Sequence, residues 1–297
     1  MTDQAEGLRR LAEELNTKPG REEDAAVRDV RTRIIAIASG KGGVGKSNLS
    51  VNLSIALSDL GRKVLLLDAD LGLANVNVLL GVIPKYNLYH VIKGERKISE
   101  IVLHVPQGID IIAGASGFTE LANLNSEYRK RIIRDLNTIQ NYDYIIVDTA
   151  AGVSHNVLSF IQASDEVIII TTPEPTSITD AYGIIKATVN ENFKDIRIVI
   201  NRIQNILEGK RVSDKIIRIS QQFLNVAIGN LGYMFDDEAL VRAVKSQEAV
   251  LRASPGSRVS KSIVNLARVV DNRVSSSPAP GRNARSFFDM FAKKSRR

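Results

Sequence analysis

Between residues 32 and 273 the chain alternates two patterns of apolar positions. Short, nearly continuous runs of Val, Ile and Leu occur at 33–38, 63–68 ("KVLLLD"), 109–113 ("IDIIA"), 143–148 ("DYIIVD"), 166–171 ("EVIIIT"), 196–201 ("IRIVIN") and 226–234. A run with no polar alternation predicts a strand buried on both faces, as in a parallel sheet covered by helices. Between the runs, apolar residues recur every three or four positions. The stretch 48–61 ("NLSVNLSIALSDLG") shows this with Leu49, Leu53, Ala56, Leu57 and Leu60, and Gly61 as a stop. The predicted fold class is α/β: a mostly parallel twisted sheet with helices on both faces. Ligands in such folds bind beyond the carboxyl ends of the strands.

Outside this region the pattern changes. Residues 3–15 ("DQAEGLRRLAEEL") predict a short amphipathic helix with Ala5, Leu8, Leu11, Ala12 and Leu15 on one face. Asp3 and Glu6 there have capping-box spacing. Pro19–Gly20 breaks the chain. The expected organisation is an N-terminal element at 1–16, a linker at 17–31, the α/β domain at 32–273, a Ser/Pro/Gly linker at 274–282 and a second amphipathic helix at 283–297. That last segment, "NARSFFDMFAKKSRR", places Phe287, Phe288 and Phe291 on one side of a helix and basic residues around it. This is the make-up of a helix lying in a lipid headgroup region.

Composition narrows the chemistry. With no cysteine among 297 residues, disulfides, thiol nucleophiles and Cys-ligated metal clusters are excluded. His90, His104 and His155 are too scattered for a metal motif. A charged N-terminus and the lack of a long apolar run argue against a signal peptide or membrane span, so a cytoplasmic location is expected. The net charge of +7 is concentrated: residues 272–297 hold seven Lys/Arg and one acid, on a nearly neutral body. A basic tail does not suggest specific nucleic-acid binding in the way a basic domain would.

The segment "GKGGVGKSN" (40–48) carries the central motif. Gly40, Gly45, Lys46 and Ser47 complete G-x-x-x-x-G-K-[ST], placed between a predicted strand and a predicted helix. Backbone N–H groups of Gly40, Lys41, Gly42, Gly43, Val44, Gly45 and Asn48 are then candidates to surround phosphates, with Lys46 neutralising them and Ser47 reaching Mg²⁺. Lys41 is a second cation for which this chemistry has no use. Acids end two strands: Asp68 and Asp70 in "LLLDADLG", and Asp148 in "IIVDTAAG". A lone strand-end aspartate is also a common helix cap. Three near a phosphate loop suit Mg²⁺ binding by Ser47, Asp68 and Asp148, with Asp70 orienting water. Asn201 and Arg202 end another strand and are candidates for hydrogen bonding to, and stacking on, a purine.

"KGGVGKS" resembles the deviant Walker A motif of the MinD/ParA ATPases. "GASGFTELANL" (114–124), "TTPEPTSITDAYGIIK" (171–186), "SPGSRVSKSIVNLA" (254–267) and the opening "DQAEGLR" (3–9) are similar to the FlhG (FleN, YlxH) branch, which controls flagellar number and placement. The resemblance implies an ATP- and Mg²⁺-dependent homodimer with weak ATPase activity. Lys41 is then the signature lysine that crosses to the partner subunit's phosphates. It also implies that Asp3, Gln4 and Ala5 stimulate the FlhF GTPase, and that the tail binds anionic lipid on the inner face of the cell membrane. Flagellar base-plate proteins or a flagellar transcription regulator are further implied partners, and no specific nucleic acid is. "YMFDD" (233–237) and Ala249 depart from the family by lacking prolines near the base pocket. Two related functions stand as alternatives, a MinD-type cell-division regulator and a ParA-like DNA-partitioning ATPase. A binding scaffold with vestigial hydrolysis is a third, of a different class.

Overall fold

The structure, a computed structural model, describes residues 32–70, 74–114, 139, 141–193 and 195–274. The expected elements at 1–16, 17–31, 275–282 and 283–297 lie outside the described residues. With them lie Asp3, Gln4, Ala5, Phe287, Phe288, Phe291 and most of 114–124.

Eight strands form one sheet: β1 (Arg33–Ser39), β2 (Val64–Ala69), β3 (Leu103–His104), β4 (Asp110–Ile112), β5 (Tyr144–Ala151), β6 (Glu166–Thr171), β7 (Ile196–Ile203) and β8 (Gly229–Phe235). Their spatial order is β3-β4-β2-β5-β1-β6-β7-β8. Every pairing is parallel except the β3–β4 edge. Each of the seven apolar runs became a strand, with ends shifted by up to three residues. β3 was not foreseen, because two residues carry no periodicity.

The helices are α1 (Lys46–Asp59), α2 (Val76–Leu79), α3 (Leu88–Lys93), α4 (Ile98–Ile101), α5 (His155–Ala163), α6 (Pro175–Asn190), α7 (Ile206–Leu224), α8 (Glu238–Lys245), α9 (Val250–Ala253) and α10 (Arg258–Val274). Their starts follow local chemistry. Ser154, Asn205 and Asp237 cap α5, α7 and α8 through side-chain oxygens, and Pro175 opens α6. No described helix is long and apolar enough to cross a membrane.

Strand alternation divides the core. Ile35, Ile37, Leu66, Ile146, Ile170 and Val199 face α1, α9 and α10. Ile34, Leu65 and Ile145 face the α3–α5 side, while Ala36, Ile169 and Ile198 face α5–α7. α1 departs from its predicted one-sided pattern. Ser50, Val51, Asn52, Ser54 and Ile55 are buried along with the leucines, whereas Leu60 is exposed. The helix lies between the sheet and α10, so it has no solvent face for most of its length. Its polar side chains are satisfied locally. Ser50 and Ser54 donate to carbonyls one turn back (3.1 and 2.7 Å), and Asn52 joins the Asn48 carbonyl (2.9 Å) to the Leu251 N–H (3.2 Å).

The amino-end rim of the sheet is closed by charge. Glu166, 1% exposed, accepts from Arg33, and from Arg273 at 3.0 Å, with Arg197 at 3.6 Å. Asp271 accepts two bonds from Arg62 (2.8 and 3.0 Å) and one from the Tyr144 hydroxyl (3.0 Å). Both clusters fasten the last turn of α10 to the sheet. The carboxyl-end rim, at the opposite pole, is left for chemistry.

Candidate phosphate and metal site

At the carboxyl end of β1 the chain turns sharply through residues 40–45 into α1. Gly43 and Gly45 take left-handed φ values of 78° and 98°, which side-chain-bearing residues adopt at a cost. Close approach also demands glycine. A Cβ on Gly40 would lie 2.1 Å from the Asp180 carbonyl oxygen on α6, and one on Gly45 2.3 Å from Asn201 Nδ2. A Cβ at Gly42 or Gly43 would meet nothing within 4 Å. The loop is thus packed tightly behind and open in front, the shape needed to receive an anion on backbone N–H groups at a helix N-terminus.

Asp68 on β2 and Asp148 on β5 are side by side in the parallel register, and both face α1. They are 0% and 1% exposed. Lys46, at the first turn of α1 and 8% exposed, donates to Asp148 Oδ1 at 3.0 Å. Ser50, one turn further, shares its hydroxyl proton between the same oxygen, at 2.8 Å, and the Lys46 carbonyl. Asp68 has no such cation. Its oxygens accept backbone N–H bonds from Asp70 (3.1 Å), Asn75 (3.1 Å) and Val76 (3.2 Å). Burial, with Asp148 beside it, pushes the Asp68 carboxyl up to about 7, against the pull of those N–H groups. Asp70 follows the end of β2 and is half-buried.

These positions refine the sequence expectations. Ser47 and Asn48 sit half-buried at the loop's end. Asp148, expected at the metal, is held by Lys46 and Ser50. Ser50 was missed, although its place one helical turn after Lys46 was a usable signal. Among the described residues no three acids or histidines gather to hold a metal. Ser47, Asp68 and Asp148 offer oxygen donors of the kind Mg²⁺ takes, and that ion needs only one or two protein groups together with phosphates and water.

Asn201, expected at a purine edge, packs against the phosphate loop. It is 1% exposed and turned onto the loop, with Nδ2 donating to the Val44 carbonyl (2.8 Å) and Oδ1 accepting from the Arg202 N–H (2.8 Å). Strand alternation explains this, since Asn201 shares the α1-facing side with Val199. Arg202 has φ 58° where the β7–β8 register slips, and its guanidinium reaches the Gly43 carbonyl at 3.0 Å. Lys41 is placed unlike Lys46. Its side chain is 38% exposed at the loop's mouth, paired with Glu174 at 3.0 Å and within 3.3 Å of the Thr176 hydroxyl.

Comparison with known proteins places this geometry in a family. Residues 32–202 match a family described as an AAA domain. The antiactivator FleN of Pseudomonas aeruginosa is 40% identical over 264 residues, covering 88% of this chain and 92% of that protein. The flagellum site-determining protein YlxH of Helicobacter pylori is 34% identical over 266 residues, covering 88% and 90%. Among solved structures, the septum site-determining protein MinD of Pyrococcus horikoshii, complexed with Mg-ADP, aligns with a TM-score of 0.69 at 26% identity. It covers 84% of this chain and 99% of that one. MinD in the MinC:MinD complex of Aquifex aeolicus aligns with a TM-score of 0.67 at 26% identity, covering 85% and 99%.

The raised Asp68 pKa has a measurable consequence. Between the ordinary value of 3.8 and about 7, the folded protein keeps a proton that the unfolded chain has released. The group's contribution to stability is therefore complete below the lower value and lost as pH rises through the upper one. In EDTA, urea-denaturation stability should fall with pH more steeply in wild type than in Asp68→Asn, by up to about 1.4 kcal/mol per pH unit. Equal slopes would contradict the assignment of this proton.

Proposed function

The chain belongs to the FlhG (FleN/YlxH) branch of the MinD-like P-loop ATPases, and we propose that it works there as an ATP-gated dimeric switch regulating flagellar number and placement. The observation that carries this reading is the unequal placement of the two loop lysines. Lys46 is buried against Asp148, where a bound nucleotide's own phosphates would claim it. Lys41 lies at the mouth, where it can leave its own subunit.

The steps follow from the side chains. Incoming phosphates settle on the N–H groups of residues 40–48 and draw Lys46 from Asp148, while Ser50 remains to hold that carboxylate. Ser47 and Asp68 would hold Mg²⁺, which would supply charge neutralisation for the bound phosphates. Asn201 and Arg202 brace the loop through the Val44 and Gly43 carbonyls during the exchange. Lys41 of each subunit then pairs with the other subunit's phosphates, so the dimer exists only while the terminal phosphate does. Asp70 orients the attacking water, and its loss stops hydrolysis without loosening the dimer. Slow turnover suits a switch, because it sets how long the dimer lasts.

The terminal segments give the switch its outputs. Asp3, Gln4 and Ala5 act on the FlhF GTPase, where a glutamine can orient a hydrolytic water. Phe287, Phe288 and Phe291 anchor the tail to anionic lipid. One tail binds weakly and two bind tightly through effective concentration, so membrane residence follows the ATP state. Partners among the flagellar base-plate proteins or transcription regulators then read where the dimer sits. The names of FleN and YlxH, an antiactivator and a flagellum site-determining protein, support a regulatory role in flagellation.

Chromatography with light scattering tests the switch. Wild type should be monomeric with ADP and dimeric with ATP, Asp70→Ala dimeric with ATP and inactive, and Lys41→Ala monomeric throughout. A stable ADP dimer, or a Lys41→Ala dimer in ATP, would overturn it. Liposome flotation and GTP hydrolysis test the outputs. Binding to anionic vesicles should require ATP and vanish in a chain ending at Ser277. A peptide of residues 1–20 should accelerate the cognate FlhF, and Gln4→Ala should remove the effect. Flotation of the shortened chain, or an inert wild-type peptide, would reject the respective role.

A further inference from the structure

Lys41 is already engaged within its own chain. Its Nζ lies 3.0 Å from Glu174 Oε2 and 3.3 Å from Thr176 Oγ1, contacts that span more than 130 residues of sequence. Glu174 is the N-cap residue of α6, and the start of the phosphate loop presses on the same helix nearly two turns later, at Asp180. A lone cation beside a helix N-terminus would face the positive end of the helix dipole. Glu174 reverses that local sign and makes the position hospitable to a lysine. The pairing also holds the Glu174 carboxyl below its ordinary range, chiefly through the hydrogen bond from Lys41.

We propose that Glu174 and Thr176 form a latch that keeps the signature lysine on its own subunit, so that dimerisation requires exchange of one carboxylate for the partner's polyphosphate. The inference rests on the ATP-gated dimer proposed above and adds the competitor that Lys41 must leave. Exposure sets the latch's strength. With side chains 38% and 54% exposed, the pair is open to water and ions. Such pairs shift an equilibrium by a factor of about 1.4–5. A triphosphate carries several negative charges against one on Glu174, so the exchange is favourable with ATP and less so with ADP. A buried latch would instead have locked the monomer. Glu174 is thus a positioning residue that acts through Lys41.

Two latches open for each dimer formed, so Glu174→Gln should lower the dimer dissociation constant in ATP by roughly 2–25-fold. The experiment measures that constant by sedimentation with Asp70→Ala as background, so that hydrolysis does not deplete the dimer. The advantage of Glu174→Gln should shrink as salt is raised, since screening weakens the pair in the reference protein. Affinity of the monomer for fluorescent ADP should stay within twofold, which a general disturbance of the loop would not allow. Thr176→Val, which keeps the ion pair, should tighten the dimer less than Glu174→Gln. Equal or weaker dimerisation of Glu174→Gln, or a gain insensitive to salt, would overturn the latch. If the Asp70→Ala reference fails to dimerise in ATP, or its dimer survives Lys41→Ala, the dimer reading itself fails, which separates the two failures.

Discussion

Two carboxylates held side by side at the carboxyl end of a parallel sheet set the terms for the rest of the site. Asp68 and Asp148 are placed by register, not by any property of their own, and almost no water reaches either. One lysine and one serine serve Asp148, while Asp68 has only backbone N–H groups. Lys46 is bonded to one carboxylate of the pair, and Asp68 retains a proton up to about pH 7. Supplying Mg²⁺ at Asp68 and giving Lys46 a phosphate in place of Asp148 would change both together.

The remainder of the fold keeps this arrangement stiff. α1, buried nearly all round, carries Lys46 and Ser50 on a helix that cannot turn without breaking the core. Its serines bond back to their own helix, so the polar positions need no solvent. Asn201 fixes the loop from behind and Arg202 from the rim, at a bulge that aims the side chain sideways. The opposite rim, closed by the Glu166 and Asp271 clusters, anchors the last turn of α10. Chemistry and fastening occupy opposite poles.

Much of this was legible in the sequence because burial on both faces leaves a direct trace. A strand such as "IIVD" reads as apolar throughout, and the acid ending it marks where solvent or ligand begins. The glycine loop was legible because its chemistry is local. What depends on contacts between distant segments was not. The pairing of Asp68 with Asp148 is a matter of strand order, and the meeting of Lys41 with Glu174 requires β1 and β6 to be neighbours. Asn201 drew attention by its position at a strand end, and its bond to the Val44 carbonyl depends on β7 passing behind the loop. The two-residue β3 lay below any periodic signal.

In the proposed switch a second copy of the chain completes this site, with Lys41 acting across the interface. Mixing two inactive variants tests it most directly. Lys41→Ala keeps Asp70 but offers its partner no lysine; Asp70→Ala offers the lysine but cannot hydrolyse. A mixed dimer has one site containing Asp70 from one subunit and Lys41 from the other. ATP hydrolysis should reappear on mixing, far above the sum of the separate rates. A mixture no more active than its parts would contradict it.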